Sequence, residues 1–301
     1  MTDANPRILD YRDHSRRLDD NQHVYAVVSR RSRGLSIGIN LNADKVCNFD
    51  CPYCQVDRTT PGGARTVDVD RLATELDHLL KLVRSGELWS VPPFSTAAPA
   101  LRRVNDIAFA GDGEPTSAKA FADAVTTVGR LREAHGLPDV KLVLLTNATL
   151  FHRPAVAAGL AELDRLGGEI WAKLDAGTAD YFRLVAGTSL PFATVLRNIE
   201  NAAQVRPIVL QCMFMQWDGV GPTDAEIFAW RDRIATILDA GGTLRDVQVY
   251  AVARAPADPR VGVLPTPRLE WIAQQARSLG VSVTTFPGLP PRSPALLEPR
   301  A

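Results

Sequence analysis

Cys47, Cys51 and Cys54 lie in the run Cys-Asn-Phe-Asp-Cys-Pro-Tyr-Cys, a C-x3-C-x2-C spacing that takes three of the chain's four cysteines. A [4Fe–4S] cluster held wholly by protein takes four thiolates. Three clustered ligands with no fourth nearby leave one iron open to an outside ligand, and an open iron is a reactive one. Three cysteines with a histidine or water also suit zinc, but structural zinc sites usually pair C-x2-C with a distant second pair. No second pair exists here. The remaining cysteine, Cys212, reads as a buried apolar residue.

Other candidates for chemistry are spread along the chain. Gly111-Asp112-Gly113-Glu114-Pro-Thr116 places a carboxylate in a glycine turn, where the backbone can approach a charged group closely. It does not match the dinucleotide pattern Gly-x-Gly-x-x-Gly. Lys173 and Asp175, two apart on a strand, share a face. They either close the strand end as an ion pair or meet a ligand. Asn147 either reaches a ligand or caps the loop after Thr146. Gln211, Gln248 and Tyr250 lie on strands, and a buried glutamine needs partners for its amide, so these three are candidates for substrate contacts. Arg58 and Arg254 are placed to meet an anionic group. Arg30, Arg31 and Arg33 make a basic turn that is either solvated or a contact for an acidic electron donor or for a phosphate or carboxylate substrate. The five histidines show no metal-ligand spacing.

Short β-branched runs alternate with segments of helical period, the pattern of an α/β fold with a parallel sheet. The strands are expected at 35–41, 106–111, 141–147, 169–175, 207–216 and 246–252, with a short last run at 281–286. A helix with Val69, Leu72, Leu76, Leu79, Leu80 and Val83 on one face follows the cysteines, which therefore fall in a β-to-α loop. Further helices are expected from about 117 to 134, from Pro154, after the capping box Thr223-Asp-Ala-Glu226, and from Thr266 to near Gly280. Residues 23–28 are expected to pair with the first strand as a hairpin. The 85–101 loop is long for a compact domain, and reads as a lid or a disordered insertion. The proline-rich segment after Pro287 reads as a mobile tail.

The cysteine motif, with Tyr53 just before its last cysteine, resembles the radical SAM superfamily. The resemblance covers residues 35–286 and implies an open (β/α)6 partial barrel, preceded by an N-terminal extension (1–34) with a β-hairpin and followed by a tail (287–301). It implies one [4Fe–4S] cluster on Cys47, Cys51 and Cys54, with S-adenosylmethionine on the open iron. Tyr53, Gly111, Asp112, Gly113, Glu114, Asn147, Lys173 and Asp175 are the implied cofactor contacts. An external one-electron donor such as flavodoxin or ferredoxin is implied as well. The expected reaction is reductive cleavage of S-adenosylmethionine followed by hydrogen abstraction from a substrate.

The wording around the cysteines is similar to a group of iron–sulfur oxidoreductases related to the wyosine-forming tRNA enzymes. Those enzymes carry further N-terminal cysteines, which are missing before Cys47. Lys plus Arg and Asp plus Glu balance at 34 each, so no global field draws the chain to nucleic acid, and a small-molecule substrate is expected over RNA. Activation of a glycyl radical enzyme is a further alternative, and a non-catalytic zinc or electron-transfer protein another. No apolar run approaches the ~20 residues that span a bilayer. With clustered rather than paired cysteines, the chain is expected in the cytoplasm.

Overall fold

The computed structural model describes residues 20–29, 34–253, 256 and 258–288. Eight strands form one continuous open sheet: β1 (Val24–Ser29), β2 (Gly34–Ile39), β3 (Val104–Phe109), β4 (Lys141–Thr146), β5 (Glu169–Lys173), β6 (Ile208–Trp217), β7 (Leu244–Ala251) and β9 (Val283–Phe286), in that spatial order. β8 (Val261–Val263) pairs antiparallel with the end of β6. β1 and β2 form the expected antiparallel hairpin, and every other neighbouring pair along the path is parallel. The sheet curls into a half-barrel. Parallel strands need crossovers, and the helices supply them on the outer face.

Among the described residues seven helices cover that face: α1 (Val69–Ser85), α2 (Phe121–Ala134), α3 (Pro154–Arg165), α4 (Ala179–Ala186), α5 (Phe192–Val205), α6 (Asp224–Asp239) and α7 (Thr266–Arg277). In α1, Leu72, Leu76, Leu79 and Leu80 are buried, as the 3.6-residue period requires. The outward side of β6 carries Cys212 and Phe214, and Phe214 meets Trp230 of α6 edge to face at 5.2 Å. The inward side carries Gln211 and Met213, which line a cavity. None of the described helices is long and apolar enough to cross a membrane.

Several expectations need correction. The 85–101 segment is neither lid nor disordered insertion. It folds as three short 3₁₀ turns with Leu88, Phe94 and Ala97 buried, and it leads directly into β3. That places it at the N-terminal end of the strands, opposite the cysteine loop, where its apolar residues close the bottom of the core. The helix after β3 starts at Phe121, because Pro115–Ser117 form a separate 3₁₀ turn capped by Glu114. Thr223 caps α6 by accepting from the Glu226 N–H, but the Glu226 carboxylate does not complete the box. It accepts instead from Gly177 N at 2.5 Å and Thr178 Oγ1 at 2.6 Å, holding the loop after β5. Arg30, Arg31, Arg33, Arg254 and residues 289–301 lie outside the described residues.

Candidate active site

The cysteine loop runs from the end of β2 to the start of α1, at the C-terminal edge of the half-barrel. Its shape is set by residues between and around the cysteines. Phe49 packs edge to face on Phe182 of α4 at 5.6 Å, and Phe182 stacks on Phe192 of α5 at 4.6 Å. The Asp50 N–H donates to the Ala186 carbonyl at 2.9 Å, at the C-terminus of α4. Gly187, left-handed at φ 57°, ends that helix against the loop, and a Cβ there would lie 2.1 Å from the Asp50 carbonyl oxygen.

Asn48 ties the loop to β4. It accepts from Asn147 Nδ2 at 2.7 Å and donates to Thr149 Oγ1 at 2.7 Å. Asn147 also accepts from the Thr149 N–H and hydroxyl, so it caps the turn after β4. Asn147 forms the expected cap and also borders the cavity described below.

The turn after β3 lies against the same loop. Asn40, at the end of β2, donates to the Asp112 carboxylate at 2.8 Å and accepts the Asp112 N–H at 3.1 Å. A side chain at Gly111 would strike Asn40 at 2.3 Å, and one at Gly113 would strike the Val46 carbonyl oxygen at 2.2 Å. These two glycines are present because the cysteine loop passes directly over them. Glu114 is 3% exposed. Its carboxylate accepts from Thr116 Oγ1 at 2.6 Å, Thr146 Oγ1 at 2.7 Å and the Asn147 N–H at 2.7 Å. Burial raises its pKa, and these hydrogen bonds work against the rise.

A third group gathers at the end of β5. Tyr53 donates to Asp175 Oδ2 and accepts from Lys173 Nζ at 2.6 Å. Lys173 lies 3.5 Å from the Asp175 carboxylate and 3.6 Å from Cys51 Sγ. Burial alone would lower the Lys173 pKa, but the neighbouring Cys51 and Asp175 outweigh it and push it up. Asp175 Oδ1 accepts the Met213 N–H at 2.8 Å, fixing the carboxylate between β5 and β6. The expected Lys173–Asp175 pair is thus a three-member network that includes Tyr53.

Arg58, expected to face a substrate anion, borders the cavity and is also hydrogen-bonded to the loop. It donates to Cys54 Sγ at 3.2 Å, the Lys45 carbonyl at 3.1 Å and the Asp112 carbonyl at 3.3 Å. Burial raises the Cys47 and Cys51 thiols. It acts on Cys54 too, but the hydrogen bond and charge of Arg58 oppose it, and the net direction there is down.

All three cysteines open onto one cavity of about 370 Å³ inside the half-barrel. Its rim carries Gly111 to Glu114, and its wall carries Lys173, Gln211 and Tyr250. Gln248 lies beside Gln211, with Gln211 Nε2 3.4 Å from Gln248 Oε1. On the other side Tyr25 of β1 lies over Gly38, where an added Cβ would fall 2.0 Å from the ring. Among the described residues no three histidine, cysteine or acidic side chains gather tightly enough to hold a single metal ion. A cluster makes no such demand, because each thiolate meets its own iron. The donor set therefore fits a three-cysteine cluster facing a cavity.

Sequence reasoning missed Asn40, Asn48 and Thr149. Their only local signal is a concentration of polar residues around the glycines and cysteines.

Comparison with known proteins agrees with this geometry. The family model of the Radical SAM superfamily matches residues 44–216. A UPF0026 protein from Synechocystis is 28% identical over 209 residues, covering 65% of this chain and 66% of that protein. A protein named GTPase Obg from Brachyspira hyodysenteriae is 25% identical over 167 residues, 54% of this chain but 20% of its own length. The chain therefore spans only a fifth of that relative. A radical SAM methyltransferase from Sphaerobacter thermophilus shares the fold, with a TM-score of 0.60 at 14% identity over 87% of this chain and 68% of that one. With its cysteine loop and glycine turn inside the matched span, the chain belongs to the radical SAM superfamily, whose enzymes use a [4Fe–4S] cluster and S-adenosylmethionine.

Proposed function

We propose that this enzyme cleaves S-adenosylmethionine reductively and abstracts hydrogen from a small molecule seated inside the half-barrel. The observation that carries this reading is the shared cavity: the three cysteines, the Gly111–Glu114 turn and the inward residues of β5, β6 and β7 all border it. When bound, the reduced cluster and S-adenosylmethionine supply the one-electron chemistry that removes hydrogen from carbon.

The chain's own residues hold and orient. Cys47, Cys51 and Cys54 would carry the cluster. Asn48, Phe49 and Arg58 fix the loop that presents them. Gly111 and Gly113 bring backbone to the rim, and Glu114 stiffens that turn. Lys173, Tyr53 and Asp175 offer a cation and a carboxylate to the polar groups of the cofactor. Gln211 and Tyr250 line the wall where the substrate would lie. A cavity of about 370 Å³ lies in the size range of small-ligand sites, and a small substrate is taken here over a folded RNA. The balanced charge of the chain supports the same choice.

The test is anaerobic turnover with dithionite, S-adenosylmethionine and deuterated candidate substrates, including bulk tRNA as one arm. Deuterium moving from a small molecule into 5′-deoxyadenosine is the expected result. Transfer from tRNA alone would overturn the small-molecule part. Absence of 5′-deoxyadenosine under every condition would overturn the reading as a whole.

A further inference from the structure

Two cations touch two different cysteine sulfurs. Arg58 Nη1 donates to Cys54 Sγ at 3.2 Å, and Lys173 Nζ lies 3.6 Å from Cys51 Sγ. Among the described residues, the third sulfur, Cys47 Sγ, has only a backbone donor, the Phe49 N–H at 3.5 Å, together with a longer contact to Asn48. The thiolates are therefore not equivalent, and the difference is built by side chains from two separate elements.

The two cations also differ from each other. Lys173 shares its charge with Asp175 at 3.5 Å and donates to Tyr53. Arg58 donates to two carbonyls and a sulfur, and none of its hydrogen-bond partners among the described residues is a carboxylate. Among the described residues no carboxylate is in ion-pair contact with it, Asp50 acting only at longer range, so its contact charge is directed at Cys54. Hydrogen bonds to ligand sulfurs and local net charge are two of the levers that set an iron–sulfur potential.

We infer that Arg58 tunes the reduction potential of the cluster, with Lys173 as a weaker second contributor. The inference rests on the cluster assignment to Cys47, Cys51 and Cys54. The step concerned moves one electron from an external reductant of the flavodoxin or ferredoxin class onto the cluster. The reductant is oxidised by one electron, and no bond is made or broken in that transfer. A cation at the sulfur favours the more negative reduced state and so raises the potential. Arg58 is a positioning and tuning residue here, acting through Cys54.

The experiment is a redox titration of the reconstituted protein followed by electron paramagnetic resonance, without substrate, on wild type, Arg58→Gln, Arg58→Lys and Lys173→Gln. Arg58→Gln keeps a donor and removes the charge. The midpoint should move to a more negative potential by about 59 mV, which is a tenfold change in the reduced-to-oxidised ratio for one electron. Arg58→Lys, which keeps the charge, should stay near wild type. Lys173→Gln should move the same way by less. An unchanged midpoint in Arg58→Gln with full iron content overturns the inference.

If Arg58→Gln fails to hold iron, the other two variants decide. A Lys173→Gln midpoint equal to wild type, or an Arg58→Lys midpoint shifted as far as a charge loss, overturns it. A wild-type protein that takes up no cluster would instead overturn the site assignment, so the two failures are distinguishable.

Discussion

The Glu114 carboxylate accepts the backbone N–H of Asn147 at 2.7 Å, so one buried side chain joins the turn after β3 to the turn after β4. The same group holds the hydroxyls of Thr116 and Thr146. Both turns in turn carry the cysteine loop, through Asn40 and Asp112 on one side and Asn48 and Asn147 on the other.

Glu114→Ala should therefore do more than weaken cofactor binding. It leaves buried donors without an acceptor, and the expected loss is about 3 kcal/mol of stability, read by chemical denaturation. Affinity for S-adenosylmethionine should fall as well. Stability within 0.5 kcal/mol of wild type would contradict the bracing role given to this carboxylate.

Gly113→Ala tests the close approach of the loop. The new methyl would lie 2.2 Å from the Val46 carbonyl oxygen, next to Cys47. Relief requires the cysteine loop to shift, at a cost of about 1–3 kcal/mol, and iron bound per chain should drop on reconstitution. Gly63→Ala is the control, because its methyl would meet nothing nearer than the Ala43 side chain at 3.4 Å. Equal iron content in the two variants would refute the explanation of Gly113.

The strands, the hairpin and the position of the cysteines in a β-to-α loop were legible because each leaves a local pattern. Alternation marks β3 to β7, and leucines at helical spacing mark α1. The partners of Asn48 were not legible, since Thr149 and Asn147 lie about a hundred residues away and amide pairing leaves no periodic trace. Glu226 shows the limit of a local motif. Its spacing from Thr223 is that of a capping box, but the buried Gly177 N–H and the Thr178 N–H and hydroxyl compete for its carboxylate and hold it. The 85–101 segment misled for the opposite reason. Its prolines break regular structure, yet Leu88 and Phe94 bury as firmly as any strand residue.

The acid limb of stability should depend on Glu75. Burial would raise its pKa, but the N–H groups of Gln22, His23 and Val24 and the Arg71 side chain outweigh it and lower the value. The folded pKa lies below the unfolded value of about 4.3. The stabilisation is thus complete above that pH and is lost as pH falls through the lower, folded pKa. Glu75→Gln should cost about 2 kcal/mol at pH 7 and show a shallower decline below pH ~4 in urea titrations. Parallel acid limbs for the two proteins would contradict this.

The most direct test of the central claim is anaerobic reconstitution of wild type and of Cys47→Ala, Cys51→Ala, Cys54→Ala and Cys212→Ala. Iron, sulfide and 5′-deoxyadenosine formed under dithionite would be measured together. Cys212 faces α6 on the far side of the sheet, so its variant should match wild type in cluster content and in S-adenosylmethionine cleavage. Each of the other three should lose cleavage. Cleavage that persists in any one of those three variants, or that disappears in Cys212→Ala, would contradict the account.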